Sequence, residues 1–314
     1  MKQRVLITQT IPEIALTRLS EFFDITYRNE TQPLSESDLI NTAQGHFGIL
    51  CFLSDKITST VIHSLPELKI ITNYAVGTNN IDLEAARKCS ILVSNTPDVL
   101  TNASADLALA LLLSVGRRII ESDQFCREGK FSGWESTLFL GYEFSGKKCG
   151  IIGMGRIGSA FAKRAEALGM EIFYFNRNKV ENTTARYCPL EELLSTCHVI
   201  SLHLPLTAAT RQILDAEKLK LLRHDTIVIN TGRGELIDEN ALVELLKSNR
   251  IFGAGLDVFE REPHIHSDLL KMQNVVLTPH IGSATTETRN NMALLAANSI
   301  IAAFQNKPFS NQVK

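Results

Sequence analysis

The segment Gly150-Ile151-Ile152-Gly153-Met154-Gly155-Arg156-Ile157-Gly158 leaves this chain little freedom in how it folds. It reads as a strand, a GxGxxG turn and the start of a helix. A lone GxGxxG is a weak signal. Here a strand precedes it, the helix runs to about Leu168, Gly169 stops it, and a second strand follows, which is the context a dinucleotide-binding unit requires. Gly153 permits the tight turn, Gly155 lets backbone approach a pyrophosphate, and Gly158 lets helix and strand pack closely. The helix N-terminus then offers amides and the positive end of its dipole to phosphates.

The rest of the chain alternates in the same way. Val5–Thr8, Phe47–Phe52, Ile70–Asn73 and Leu92–Ser94 read as strands, with helical stretches at Ile11–Phe23 and Glu36–Thr42. Leu100–Ile120 reads as one long apolar helix, with Thr101, Asn102 or Ser104 as N-cap and Arg117-Arg118 in its last turn. Further strands are expected at Cys149–Ile152, Glu171–Phe175, His198–His203, Thr226–Asn230, Gly253–Asp257 and Val275–Thr278, and a final helix from Thr285 to Phe304. Such βα alternation implies an α/β protein with parallel sheets covered by helices on both faces. At 314 residues the chain is long enough for two such domains.

Composition narrows the function classes. Hydrophobic content of 44% and charged content of 21% suit a globular core, and a net charge of −2 lacks the basic surplus of a nucleic-acid binder. No stretch approaches the ~18 apolar residues of a membrane span, and Met1 to Ile7 is not a signal peptide. The six cysteines are scattered without a CxxC pair, so they read as reduced thiols of a cytoplasmic protein. No metal is expected: His264 and His266 sit two apart in a loop without companion ligands.

The end of the second cofactor strand indicates which dinucleotide is used. Phe173-Tyr174-Phe175-Asn176-Arg177-Asn178-Lys179 places Asn176 where an NAD enzyme usually carries an acid for the ribose 2′-hydroxyl. An acid would repel a 2′-phosphate and Asn does not. Arg177 adds a planar fork suited to phosphate, and Lys179 a further positive charge. NADP(H) is therefore expected over NAD(H), with NAD(H) still possible.

Three groups at successive strand ends suit the reduction of a 2-keto acid. Arg233 follows one strand and can fix a carboxylate and polarise a carbonyl. His280, in Thr278-Pro279-His280-Ile281-Gly282, can deliver a proton near neutral pH. Glu262 can hold one ring nitrogen of His280 and stabilise the imidazolium. Each alone has a bland reading as a surface or turn residue; their joint occurrence makes that reading poor.

With these motifs in view, the chain resembles the D-isomer-specific 2-hydroxyacid dehydrogenases over essentially its whole length. The matching blocks are Tyr74 to Asp82, the Gly153–Gly158 loop, His203 to Thr207, Ile229 to Pro263, and the block from Thr278. Within the family it is most similar to the glyoxylate/hydroxypyruvate reductases, through Thr96 to Thr101, Gly133-Trp134 with Gly141-Tyr142, and His280 to Asn298. That group shares the Asn176-Arg177 departure from the acid. The resemblance implies two doubly wound parallel-sheet domains, a Rossmann cofactor domain (98–285) inserted into a flavodoxin-like substrate domain (1–97 plus 286–314), with a hinge that closes to exclude water.

It also implies further site residues. Leu53, Ser54, Val76, Gly77, Ser283 and Trp134 would meet the substrate, Val76 and Gly77 through backbone amides. Thr101, Arg156, Ile157, Leu204, Pro205, Thr231 and Asp257 would join Gly153, Gly155, Gly158, Asn176, Arg177 and Asn178 at the cofactor, Asp257 near the nicotinamide carboxamide. It implies a homodimer formed by the cofactor domains, with Trp134 approaching the partner's site. The implied activity is NADPH-dependent reduction of glyoxylate to glycolate and of hydroxypyruvate to D-glycerate.

Two alternatives remain. One is a reductase for 2-ketogluconate or phosphohydroxypyruvate, the latter disfavoured because only Lys56 lies near Leu53-Ser54. The other is a dinucleotide-sensing binding protein resembling the C-terminal-binding corepressors, which keep the same Arg–Glu–His set.

Overall fold

The computed structural model describes residues 2–181 and 183–313; Met1 and Lys314, which bound the expected first domain, and Asn182 lie outside the described residues. The chain divides into two compact units, Met1–Leu100 with Ser283–Lys314, and Thr101–Gly282.

The first unit runs β1 (Arg4–Ile7), α1 (Glu13–Ser20), β2 (Asp24–Tyr27), α2 (Glu36–Ala43), β3 (Gly48–Cys51), α3 (Ser59–His63), β4 (Ile70–Asn73), α4 (Leu83–Lys88) and β5 (Leu92–Ser94). The strands form one parallel sheet in the order β2-β1-β3-β4-β5. This is the flavodoxin-like order, with its switch point between β1 and β3. Every residue of β3 and β4 is buried, as a strand covered on both faces requires.

The second unit runs α5 (Thr101–Gly116), α6 (Ile119–Arg127), β6 (Lys148–Ile152), α7 (Arg156–Ala167), β7 (Glu171–Phe175), β8 (Arg186–Tyr187), α8 (Leu190–Thr196), β9 (Val199–Leu202), α9 (Ala216–Leu219), β10 (Ile227–Asn230), α10 (Glu239–Lys247), β11 (Gly253–Leu256) and β12 (Val275–Leu277). Its sheet is parallel, in the order β12-β11-β10-β9-β6-β7-β8. The order reverses between β6 and β9, as in the Rossmann fold. Alternate side chains feed two cores. Cys149, Ile151, Ile227 and Ile229 pack under α5 and α7, while Ile152, Ile200, Val228 and Leu256 face α8 and α10. The last helix, α11 (Thr286–Phe304), is capped by Thr285 Oγ1 and packs on α1 and β4 of the first unit.

The long helix expected over 100–120 is two helices. Arg118 takes a left-handed backbone (φ 52°), which ends α5 at Gly116 and turns the chain into α6. Gly116 sits against the Phe144 ring, where a Cβ would come within 2.3 Å, and its carbonyl accepts Tyr142 N–H at 2.7 Å. This packing stops the helix, and no apolar periodicity records it. Thr101, Asn102 and Ser104 lie inside the first turn of α5 and do not cap it. Arg117-Arg118 form the link between helices, not a last turn.

His203, at the end of β9, carries a pH liability. Its ring lies 5.2 Å from the Phe161 ring, with Nε2 2.9 Å from Ser201 Oγ. Desolvation there lowers its pKa from 6.5 to about 3. The folded state thus keeps it neutral while the unfolded chain takes up a proton below pH 6.5, so stability present above 6.5 is lost as pH falls toward 3. Between pH 7 and 5 this costs on the order of 1–2 kcal/mol. Urea unfolding of the wild type and His203→Asn at the two pH values should show that much less acid sensitivity in the variant. Identical sensitivity would refute this account.

Candidate active site

In the second unit β10, β11 and β12 are neighbours, so the loops leaving their carboxyl ends are neighbours too. Arg233 lies in the first, Asp257 and Glu262 in the second and His280 in the third. Asn230 fixes the first loop: its Nδ2 donates to Arg233 O (2.8 Å) and its Oδ1 accepts Gly232 N–H (3.0 Å). Gly234 brings this loop against the second, because a Cβ there would lie 1.9 Å from the carbonyl carbon of Phe259. No other residue permits that approach, so Arg233 is held beside the loop that carries Glu262.

Glu262 accepts Phe259 N–H through Oε1 (3.1 Å), and its Oε2 lies 2.8 Å from His280 Nδ1. Burial would raise the Glu262 pKa, but the hydrogen bond and charge of His280, the Phe259 amide and Arg233 outweigh it and lower the net value. Glu262 is therefore an ionised acceptor, and Nδ1 of His280 carries the proton between them. Burial pulls the Arg233 pKa below its ordinary value, opposed by Glu262 and Glu235. An arginine remains charged under such a shift.

His280 has a left-handed backbone, φ 54°. For a residue with a Cβ this costs about 1–2 kcal/mol. Asp257 holds it there. Its carboxylate accepts Thr278 Oγ1 (2.6 Å), Ile281 N–H (2.8 Å) and Gly282 N–H (2.8 Å), while its carbonyl accepts His280 N–H (2.9 Å). Burial raises the Asp257 pKa, and these donors and the His280 charge work against it. The clamp joins residues 21 to 25 positions apart, so no local pattern could reveal it.

The carboxyl ends of β6, β7, β9 and β10 form the other half of this edge. Gly153 has φ 102°, and a Cβ there would lie 2.8 Å from the carbonyl of His203, beside Leu204. A Cβ on Gly158 would lie 2.1 Å from Gly153 O. Gly155 caps α7 without a side chain, and a Cβ on it would meet no atom within 4 Å. This is a cradle that backbone lines and side chains do not fill, with Arg156, Ile157 and Gly158 in the first turn of the helix. Thr231, just after β10, has a buried Oγ1 without a hydrogen-bond partner among the described residues. Both observations fit a dinucleotide's phosphates and ribose. Pro205 O accepts Thr210 Oγ1 (2.7 Å), which ties down the loop after β9. Thr101 opens α5.

Asn176, at the end of β7, accepts Met154 N–H through Oδ1 at 2.7 Å. Its oxygen is committed to the glycine loop, which leaves Nδ2 as a donor. Arg177 and Asn178 are exposed, and Arg177 has no ion-pair partner among the described residues. Lys179 is placed differently from a free phosphate ligand: its ammonium lies over the Tyr187 ring at 5.1 Å.

In the first unit three consecutive carbonyls are anchored inward. Ala75 O accepts Thr96 N–H (2.8 Å), Val76 O accepts Asn95 Nδ2 (2.7 Å) and Gly77 O accepts Asn73 Nδ2 (2.6 Å). The amides of Val76 and Gly77 have no acceptor among the described residues, a geometry that suits an anion. Leu53 is half-buried and Ser54 exposed, its Oγ accepting Gln9 Nε2 at 2.8 Å. Ser283 opens the unit's C-terminal segment. Trp134 is 87% exposed, between α6 and β6.

A family model for the D-isomer specific 2-hydroxyacid dehydrogenase NAD binding domain matches residues 109–282. A glyoxylate reductase of Thermococcus litoralis is 45% identical over 310 residues, spanning 96% of this chain and 94% of that protein. The chain belongs to the D-isomer specific 2-hydroxyacid dehydrogenase family. As a member of that family it is an oxidoreductase with a nicotinamide dinucleotide cofactor. Among solved structures, the TT0316 protein of Thermus thermophilus matches this dehydrogenase with a TM-score of 0.94 at 41% identity, covering 99% of this chain and all of that one. An NADPH-dependent glyoxylate/hydroxypyruvate reductase of Sinorhizobium meliloti, solved with NADP and malonate, matches with a TM-score of 0.91 at 33% identity, covering 100% of this chain and 97% of that one.

A cavity of about 520 Å³ in the second unit is lined by Arg118, His224, Asn249 and Gln273 and holds none of the candidate residues. It lies by the segments that lead into β11 and β12, at the amino edge of the sheet. Ligands of open α/β sheets bind at the carboxyl edge. Among the described residues no three His, Cys, Asp or Glu side chains group as a metal site, and no helix is long and apolar enough to cross a membrane.

Proposed function

We propose that this dehydrogenase reduces small 2-keto acids with NADPH, taking glyoxylate to glycolate and hydroxypyruvate to D-glycerate. The observation that carries the reading is the Glu262–His280 pair at 2.8 Å, which joins the loops after β11 and β12, with the Glu262 loop next to that of Arg233. Bound NADPH supplies the hydride. Arg233 holds the substrate carboxylate and polarises the carbonyl. His280, with Nδ1 engaged by Glu262, gives its Nε2 proton to the developing alkoxide. The amides of Val76 and Gly77 are further donors to the carboxylate, with Leu53, Ser54, Ser283 and Trp134 as additional substrate contacts. In this reading the substrate domain is 1–97 with 286–314, and the dinucleotide domain is 98–285. The names of the Thermococcus and Sinorhizobium relatives support the substrate class.

The NADPH preference rests on Asn176 and Arg177. Asn176 presents a donor where an acid would repel a 2′-phosphate, and Arg177 stands free to meet it. A charge-assisted hydrogen bond contributes about 1.5–3 kcal/mol, so kcat/KM should be at least about tenfold higher with NADPH than with NADH. A steady-state panel of 2-keto acids with both cofactors tests both halves of the reading. A preference for NADH would remove the cofactor assignment. The absence of turnover with every keto acid would favour a dinucleotide sensor.

The reading includes a homodimer and a cytoplasmic location. Ile119, Ile120, Phe131, Trp134 and Leu140 are all exposed on one stretch of the second unit, which favours cover by a second copy. All six cysteines are free.

A further inference from the structure

Two loops of the first unit, 52–55 and 74–80, leave the carboxyl ends of β3 and β4. A pair of asparagines joins them. Asn80 Nδ2 donates to Phe52 O (3.0 Å) and Asp55 O (3.1 Å), and its Oδ1 accepts Asn73 Nδ2 (3.0 Å). Asn73 is fully buried, and its Nδ2 also donates to Gly77 O at 2.6 Å. The backbone of residue 80 adds a third tie, its carbonyl accepting Ile57 N–H at 2.8 Å. The first loop is held from its other side by Asp55, 1% exposed, which accepts Thr8 Oγ1 (2.5 Å), Gln9 Nε2 (3.1 Å) and Phe52 N–H (2.8 Å). Thr8 and Gln9 follow β1, so this network occupies the sheet's switch point, where such folds place ligand loops.

We infer that Asn80 is a positioning residue for substrate binding: its side-chain amide sets the Leu53-Ser54 loop and, through Asn73, the Val76-Gly77 amides in one arrangement. The inference rests on the proposed keto-acid reading of those four residues. Its physical basis is the amide itself. Asn80 uses its oxygen and two donor contacts to carbonyls at once, and no other side chain of that size offers both. A carboxylate of the same shape would lose the donors and place its charge against the carbonyl oxygens of residues 52 and 55. Asn73 Oδ1 then loses its contact to Asn80 as well (3.3 Å).

The test is kinetic. Asn80→Asp should raise KM for glyoxylate by about tenfold or more, the effect of one or two displaced hydrogen bonds, with kcat within about threefold of wild type. Asn80→Ser keeps one donor and should fall between; it also carries the test if the Asp variant does not fold. The NADPH dissociation constant, read by fluorescence, should not change. Phe23→Leu is the control for simple loss of stability, because Phe23 packs with Phe47 and Phe304, near the amino ends of β2 and β3. An unchanged KM in both Asn80 variants overturns the inference, as does an equal rise in Phe23→Leu. If the wild type reduces neither glyoxylate nor hydroxypyruvate, the keto-acid reading fails by itself. Calorimetric binding of oxamate then decides on Asn80: weaker binding only in its variants supports the role, while equal binding, or none to the wild type, overturns it.

Discussion

Replacing His280 with alanine should lower kcat by about 10²–10⁴ while leaving the dissociation constant of NADPH nearly unchanged. In barrier terms this is roughly 3–5 kcal/mol, more than a single hydrogen bond contributes. The reason is geometric. Glu262 Oε2 at 2.8 Å accepts the hydrogen bond from Nδ1–H, so only Nε2 is left to exchange a proton with substrate. The left-handed turn at His280 and the Asp257 clamp hold the ring on its loop before substrate arrives. Alanine removes the acid and leaves the clamp, whose bonds run through the backbone and Asp257. The protein should therefore stay folded and still bind cofactor. Stopped-flow hydride transfer and cofactor fluorescence on the same preparation give both quantities. Full activity in the variant would refute the assignment of His280 as acid.

Arg233→Ala should damage KM and kcat together, lowering kcat/KM by about 10²–10⁴. The guanidinium is proposed to act twice, on the ground-state carboxylate and on the carbonyl as charge develops. Loss of the first raises KM, and loss of the second lowers kcat. Arg233→Lys separates charge from shape. It keeps a positive charge but not the planar fork, and should recover only part of the loss. The backbone there is fixed by Asn230 and by the contact of Gly234 with Phe259, so neither change should move the loop. A variant with wild-type KM and reduced kcat would confine Arg233 to the carbonyl. Wild-type values of both would place substrate binding elsewhere.

Much of this was legible in the chain. Short apolar runs marked ten of the twelve strands; Asp24–Tyr27 and Arg186–Tyr187 went unmarked because they are less buried and carry polar residues. Helices α3 and α4, of five and six residues, are too short for a 3.6-residue period to register. The glycine spacing in Gly153–Gly158 indicated a dinucleotide: close backbone contacts demand glycine at 153 and 158, while Gly155 leaves open the space that a pyrophosphate would fill. Arg233, Glu262 and His280 were recognisable because each follows an apolar run that ends in a loop.

What the chain determines by itself is therefore local: residue type, strand ends, and the chemistry available at each. Whether those groups meet is a tertiary matter. The order β12-β11-β10 places three loops side by side that lie about twenty to fifty residues apart in sequence. The Asp257 clamp, the Gly234–Phe259 contact, the Asn176 bond to Met154 and the Asn80 bonds to Phe52 and Asp55 are each a single side chain or missing Cβ meeting distant backbone. Such contacts have no period and no composition, so nothing in the sequence announces them. They exist because a parallel sheet brings the carboxyl ends of its strands to one edge, where buried polar groups must find partners.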